Sequence, residues 1–148
     1  WVEGIGDIIT PIDLPQEVIN TPIAVLKPPV VVPTSAIFTS EHLKRDTKHA
    51  IVEDFLAAPK CFGRNDLQAP AEHYSSQIGQ TLGVMKNRFG NSRMTGSGSA
   101  VFSWVEPEPT QTTLPSFQAA DLGLNDSAWV GRLCCGLVQH PLLDWLPV

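Results

Sequence analysis

Basic residues are few in this chain: ten lysines and arginines stand against fifteen aspartates and glutamates in 148 residues, for a net charge of −5. A nucleic-acid backbone is held by clustered Lys and Arg that displace its counterions, so DNA and RNA are not expected partners. Long apolar runs are missing too. The longest candidate, PIAVLKPPVVVP from Pro22 to Pro33, is interrupted by Lys27 and by prolines, well short of the ~20 apolar residues of a spanning helix. No membrane segment is expected. Cysteine is limited to Cys61, Cys134 and Cys135, an odd number with no C-x-x-C spacing and an adjacent pair ill placed for an ordinary disulfide. That usage suits a reducing compartment. The chain opens on Trp1 rather than methionine, with neither a basic n-region nor an apolar signal core behind it, and so reads as cut from something longer.

What is present fits one globular domain. A hydrophobic content of 43% with 17% charged residues is in the ordinary range, and the length allows a real core. Thirteen prolines and eleven glycines argue for short elements and many turns, hence a mixed α and β structure.

WVEGIGDIITPIDLP, at the start, places β-branched Val2, Ile5, Ile8, Ile9 and Ile12 among turn formers, which predicts two short strands around a glycine turn. TPIAVLKPP predicts a third strand, with prolines confining it to an edge or stopping it. In VVVPTSAIF, Pro33 and Thr34 mark a turn, and Ser35 to Phe38 either open a short helix or stay extended. A helix is expected in RDTKHAIVEDFLAA, capped by Asp46 or Thr47, with Ile51, Val52 and Phe55 on one face. FGRNDLQAP reads as a loop. The best helix lies in AEHYSSQIGQTLGVMKNRF, where Ile78, Leu82, Met85 and Phe89 repeat at helical spacing and Gly90 follows as a C′ residue. AVFSWV alternates like a strand, VEPEPTQTT reads as an exposed connection, and SAWVGRLCC is an apolar strand-like run followed by a final turn.

Chemistry concentrates in SRMTGSGSAVF. Thr95, Gly96, Ser97, Gly98 and Ser99 form either a plain helix-to-strand turn or a loop whose N–H groups approach a phosphate, since glycine removes the Cβ that would hold an anion away. Neither G-x-x-x-x-G-K-[ST] nor G-x-G-x-x-G is present. Arg93 adds a cation that could pair with a phosphate. His42, His49, His73 and His140 are scattered, with no ligand spacing, and read as surface or capping residues. Cys134 and Cys135 read as buried, inert thiols. Phe38 suits either the core or the face of a ligand base.

The order of EGIGDIITPIDLP, VPTSAIF, LKRDT, FGRNDLQ, RMTGSGSAVF and GLVQHPL resembles the C-terminal half of the 4-diphosphocytidyl-2-C-methyl-D-erythritol kinase family, within the GHMP kinase superfamily. The likeness is good over about residues 1 to 105 and looser beyond. RMTGSGSAVF is similar to the superfamily's third glycine-rich motif, whereas VPT…IF and GRND look like features of this kinase family.

The resemblance implies an α+β fold: a ferredoxin-like C-terminal domain with a mainly antiparallel sheet and helices on one face. Residues 1–21 would be the end of the N-terminal kinase domain and the crossover, and 22–148 the C-terminal domain. It further implies a bacterial, cytoplasmic enzyme of non-mevalonate isoprenoid synthesis, with ATP as co-substrate and Mg2+ as cofactor, acting on a cytidyl-linked small molecule. Ile5, Thr34 and Phe38 would line the cytidine pocket, Phe38 against the base, and Thr95, Gly96, Ser97, Gly98 and Ser99 would support the phosphate-bearing region. The main ATP loop, a lysine and the catalytic aspartate belong to the family's N-terminal half, which these residues do not match, so the chain alone is expected to be inactive. Leu67 and Gln68 stand where a cysteine and an acid are usual, and Pro107 to Asp126 matches poorly. A non-catalytic nucleotide- or partner-binding module, or a GHMP kinase of another substrate, are the alternatives.

Overall fold

The computed structural model describes residues 1–106 and 116–137. Its strands are β1 (Val2–Glu3), β2 (Ile8–Ile9), β3 (Ile23–Lys27), β4 (Arg93–Met94), β5 (Val101–Trp104) and β6 (Val130–Cys134). Its helices are α1 (Gln16–Asn20), α2 (Thr34–Phe38), α3 (Val52–Ala57), α4 (Gln68–Tyr74) and α5 (Ser76–Phe89), with a 3-10 turn at Ala119–Leu122. The first two strands pair as the small hairpin the sequence predicts. The other four form one sheet in the order β4-β5-β3-β6, every neighbouring pair antiparallel. In chain order that is 2-3-1-4, the split βαβ arrangement of a ferredoxin-like sheet. The expected α+β class holds.

β3 lies at the centre of this sheet and not at an edge. Pro22 and Pro28 flank the strand without entering it, so no ladder donor is lost between Ile23 and Lys27, and both sides pair, Ile23–Leu26 with β5 and Ile23–Lys27 with β6. Alternation then selects its faces: Ala24 and Leu26 are fully buried with Val101, while Val25 and Phe102 face the other way. α5 covers the buried face through Ile78, Leu82 and Met85, the stripe its spacing predicts. Burying such aliphatic side chains contributes roughly 1.5–3 kcal/mol each. Thr81, on the same face, donates its hydroxyl to the Gln77 carbonyl at 2.6 Å and so enters the core with its polar group satisfied. Gly90 ends the helix in the left-handed conformation, φ +76°, its N–H on the Lys86 carbonyl.

Three expectations need correction. The long helix breaks at Ser75, whose extended backbone (φ −148°, ψ 120°) separates α4 from α5. Serine favours such breaks because it competes poorly for helix interiors. Neither Asp46 nor Thr47 caps α3, which begins only at Val52 and buries none of its residues; Phe55 packs on Trp1 and Phe62 instead, outside the core. Cys61, Cys134 and Cys135 are all exposed. Cys134 ends β6 opposite Ile23, in the edge strand of the sheet, and is not part of the core cluster.

The connection around Pro107–Pro115 and the segment beyond Leu137, including most of GLVQHPL, lie outside the described residues. Among the described residues no helix is long and apolar enough to cross a membrane.

Candidate functional site

The glycine loop is a hairpin connection. The sequence reading passed directly from helix to loop, but the two-residue strand β4 intervenes and pairs with β5, so Thr95–Ala100 spans two strands. Thr95 N–H closes it on the Ala100 carbonyl at 2.9 Å, and Gly98 N–H returns to the Thr95 carbonyl at 3.1 Å. Gly96 (φ +56°) and Gly98 (φ +96°) adopt conformations that only glycine takes freely. At Gly98 a Cβ would also stand 2.9 Å from the Met94 sulfur.

Segments far apart in sequence converge on this loop. α2 is anchored by Ile37, only 1% exposed, and lies against α4. That seating brings Thr34, in its first turn, to the loop, where the Thr34 and Ser97 hydroxyls meet at 3.1 Å. Ser99, nearly buried, donates to the Val30 carbonyl at 2.8 Å and holds the strand leading into α2. Phe38, at the other end of α2, is 50% exposed and lies outside the core. Ile5 sits at the tip of the first hairpin, 97% exposed, and no described hydrogen bond links it to this group.

Sequence reasoning gave no role to Asn65, which is central here. Its amide nitrogen donates to the carbonyls of Met94 and Gly96, each at 2.8 Å, while its oxygen accepts from Leu67 N–H at 3.0 Å. Gln68 adds to the grip by accepting from Met94 N–H at 3.1 Å. GRND was visible as a motif; its reach to a loop some thirty residues away was not. Next to it, Asp66 is paired with Arg64, Oδ1 to Nε 2.6 Å. Its carboxyl is held below the usual carboxylate range, chiefly by the adjoining Thr47 hydroxyl, then by the hydrogen bond and charge of Arg64 and the charge of Lys44, against a smaller opposing effect of burial. Thr47 stands beside the carboxylate without completing a well-formed hydrogen bond.

Arg93 is not free for a phosphate. Its guanidinium donates to the carbonyls of Phe62, Gly63 and Lys60 and lies 5.4 Å from the Phe102 ring centre. A planar fork spent on three carbonyls and an aromatic face is a clamp between β4 and the segment after α3. His42 and His73, distant in sequence, come together with ring centres 3.9 Å apart. Among the described residues no three His, Cys, Asp or Glu side chains converge as metal ligands.

The resulting site is a cradle of hydroxyls, backbone N–H groups and one amide, joined through Thr34 to the helix that ends in the exposed Phe38. No family model matches the chain. It is 48% identical over 145 residues to 4-diphosphocytidyl-2-C-methyl-D-erythritol kinase of Methylibium petroleiphilum, covering 98% of this chain and 48% of that protein. The kinases of the same name from Delftia acidovorans and Polaromonas naphthalenivorans are 40% and 42% identical over 99% and 98% of the chain, and 47% and 45% of theirs. The chain resembles the C-terminal portion of these kinases. It spans about half the length of the curated relatives it matches. A crystal structure of 4-(cytidine 5′-diphospho)-2C-methyl-D-erythritol kinase superposes on 90% of the chain and 48% of its own with a TM-score of 0.57; at 21% identity this supports the kinase family's fold.

Proposed function

We propose that this chain forms the substrate-side half of a small-molecule kinase site of the GHMP type. The whole site moves the γ-phosphoryl of ATP to the 2-hydroxyl of 4-diphosphocytidyl-2-C-methyl-D-erythritol, a step of non-mevalonate isoprenoid synthesis. The observation that carries the reading is the contact of the Thr34 and Ser97 hydroxyls, which joins the VPT…IF segment to the glycine loop in one cradle. In this reading Phe38 offers its exposed ring to the cytosine, Thr34 lines the same pocket, and Thr95–Ser99 face the phosphates. The place of Ile5 in the pocket rests on the resemblance alone.

Phosphoryl transfer asks of a protein mainly positioned phosphates, a metal and dipoles aimed at developing charge. The cradle suits the first and third of these. In this reading the ligands of Mg2+ lie outside this chain, as the resemblance implies. Residues 1–21, with the first hairpin, belong in this reading to the end of an N-terminal kinase domain. That domain is the chain's partner and supplies the base, the lysine and the main ATP loop.

Isothermal titration of the 148-residue chain tests this. The cytidyl-linked methylerythritol and CDP should bind, AMP should not, and Phe38→Ala should weaken binding about tenfold or more, since stacking a base on an aromatic ring contributes roughly 1–3 kcal/mol. A folded chain that binds none of them, or AMP as well as CDP, overturns the half-site. ATP-dependent phosphorylation of the substrate by the chain alone overturns the assignment of catalysis to another domain.

A further inference from the structure

The motif GRND is used by none of the roles above, yet its asparagine makes the contacts that define the loop. We propose that Asn65 is a positioning residue, which turns the N–H groups of the glycine loop toward a phosphate-bearing ligand. The inference rests on the half-site reading.

Asn65 meets two carbonyls and one N–H, and this environment admits a single orientation of its amide, with nitrogen toward the Met94 and Gly96 carbonyls and oxygen toward Leu67. In a planar trans peptide the N–H points opposite to the C=O. Drawing the Met94 carbonyl to Asn65 therefore sends Thr95 N–H the other way, where the Ala100 carbonyl receives it and closes the hairpin. Drawing the Gly96 carbonyl inward does the same to Ser97 N–H. Among the described residues that N–H has no protein acceptor, and neither does Gly96 N–H. Gly96 in the left-handed conformation lets successive N–H groups form a concavity of the kind that binds anions. Thr34 and Ser97 add hydroxyls at the same point. Asn65 touches none of the ligand in this arrangement; it decides which way the donors face.

Asn65→Asp isolates the effect. The carboxylate keeps the acceptor for Leu67 N–H but places an oxygen against two carbonyl oxygens, so the loop peptides lose their tether and are repelled. Two measurements on the 148-residue chain separate the causes. In amide NMR without ligand, the Gly96 and Ser97 resonances should shift or broaden in the variant, while Leu26 and Met85 in the core stay in place. In titrations, CDP affinity should fall about tenfold, as expected for losing hydrogen bonds at a phosphate, whereas cytidine, which lacks phosphates, should bind within about twofold of wild type.

Loop amides that keep their wild-type positions overturn the inference, and so does an equal loss of CDP and cytidine affinity, which marks a general structural defect. If wild type binds neither compound, the half-site reading fails. The unliganded amides then decide alone whether Asn65 sets the loop.

Discussion

Replacing Gly98 by alanine tests the steric basis of the loop most directly. Two costs are predicted there. The first is conformational: at φ +96° a residue with a Cβ is strained, by about 1–3 kcal/mol. The second is packing: the new Cβ would stand 2.9 Å from the sulfur of Met94, which is itself only 1% exposed and has little room to withdraw. Because methionine is flexible, relief is partial, and overpacking adds roughly 1 kcal/mol. Gly96→Ala is the control. At φ +56°, in the left-handed helical region, with nothing within 4 Å of the new Cβ, it should cost only about 1 kcal/mol. A double-mutant cycle separates the two terms at Gly98. In a Met94→Ala background the clash is gone, so Gly98→Ala should cost about 1 kcal/mol less than in wild type, although Met94→Ala is itself destabilising by about 2–5 kcal/mol. Urea denaturation followed by tryptophan fluorescence reads all five proteins. Equal costs at Gly96 and Gly98, or a cycle with no coupling, would refute the argument.

Gly83 and Gly131 should respond in opposite ways. Gly83 lies inside α5 with nothing within 4 Å of an added Cβ, so alanine should stabilise by about 0.4–1 kcal/mol through helix propensity and a less free unfolded chain. At Gly131 the Cβ would lie 2.6 Å from the Ala119 backbone nitrogen and 2.8 Å from the Gln118 carbonyl carbon, and main chain cannot move aside cheaply; a loss of about 1–3 kcal/mol is expected in the same denaturation assay. For Asp66 the folded-state pKa is depressed, so its contribution to stability is complete above the unfolded-state pKa of about 3.9 and is lost as pH falls through the lower folded value. Asp66→Asn should therefore be less stable than wild type at neutral pH, with the gap closing below about pH 4; a gap that persists unchanged into acid contradicts the assignment.

Period carried most of the fold that could be read from sequence. The stripe of α5, the terminal Gly90 and the alternation in β5 each depend on neighbours a few residues away, so local pattern suffices. β4 was missed because Arg93 and Met94 are too few to show a period and, unlike Val2, Ile8 and Ile9, are not β-branched; only its pairing with β5, Arg93↔Phe102 and Met94↔Val101, makes it a strand. The prolines around β3 left an edge strand and a strand stopped at its ends both open, because the sequence does not say whether a proline lies in a ladder or just beyond it; the structure shows the second. At the site, Thr34 and the glycine loop were both visible, but their meeting is a tertiary fact set by the seating of Ile37. Arg93 showed the converse. Its charge invited a phosphate, while its guanidinium is directed to three carbonyls, from Lys60, Phe62 and Gly63.

That spent arginine bears on how the half-site would work. A phosphate in the cradle would meet hydroxyls and N–H dipoles, and Arg93, directed to carbonyls, would not compensate its charge. Neutral donors can orient a diphosphate and select for it, since each N–H needs an acceptor placed to match. They do not neutralise charge that builds up on a transferring phosphoryl group, a task that falls to cations and metal ions. In the proposed reading the division is therefore chemical as well as positional: this chain fixes where the cytidyl substrate lies, and the charge of the reacting groups is met from the other side of the site. Binding should then depend little on salt, because few ionic contacts are made on this side. Catalysis should require the partner domain even when the substrate is fully bound.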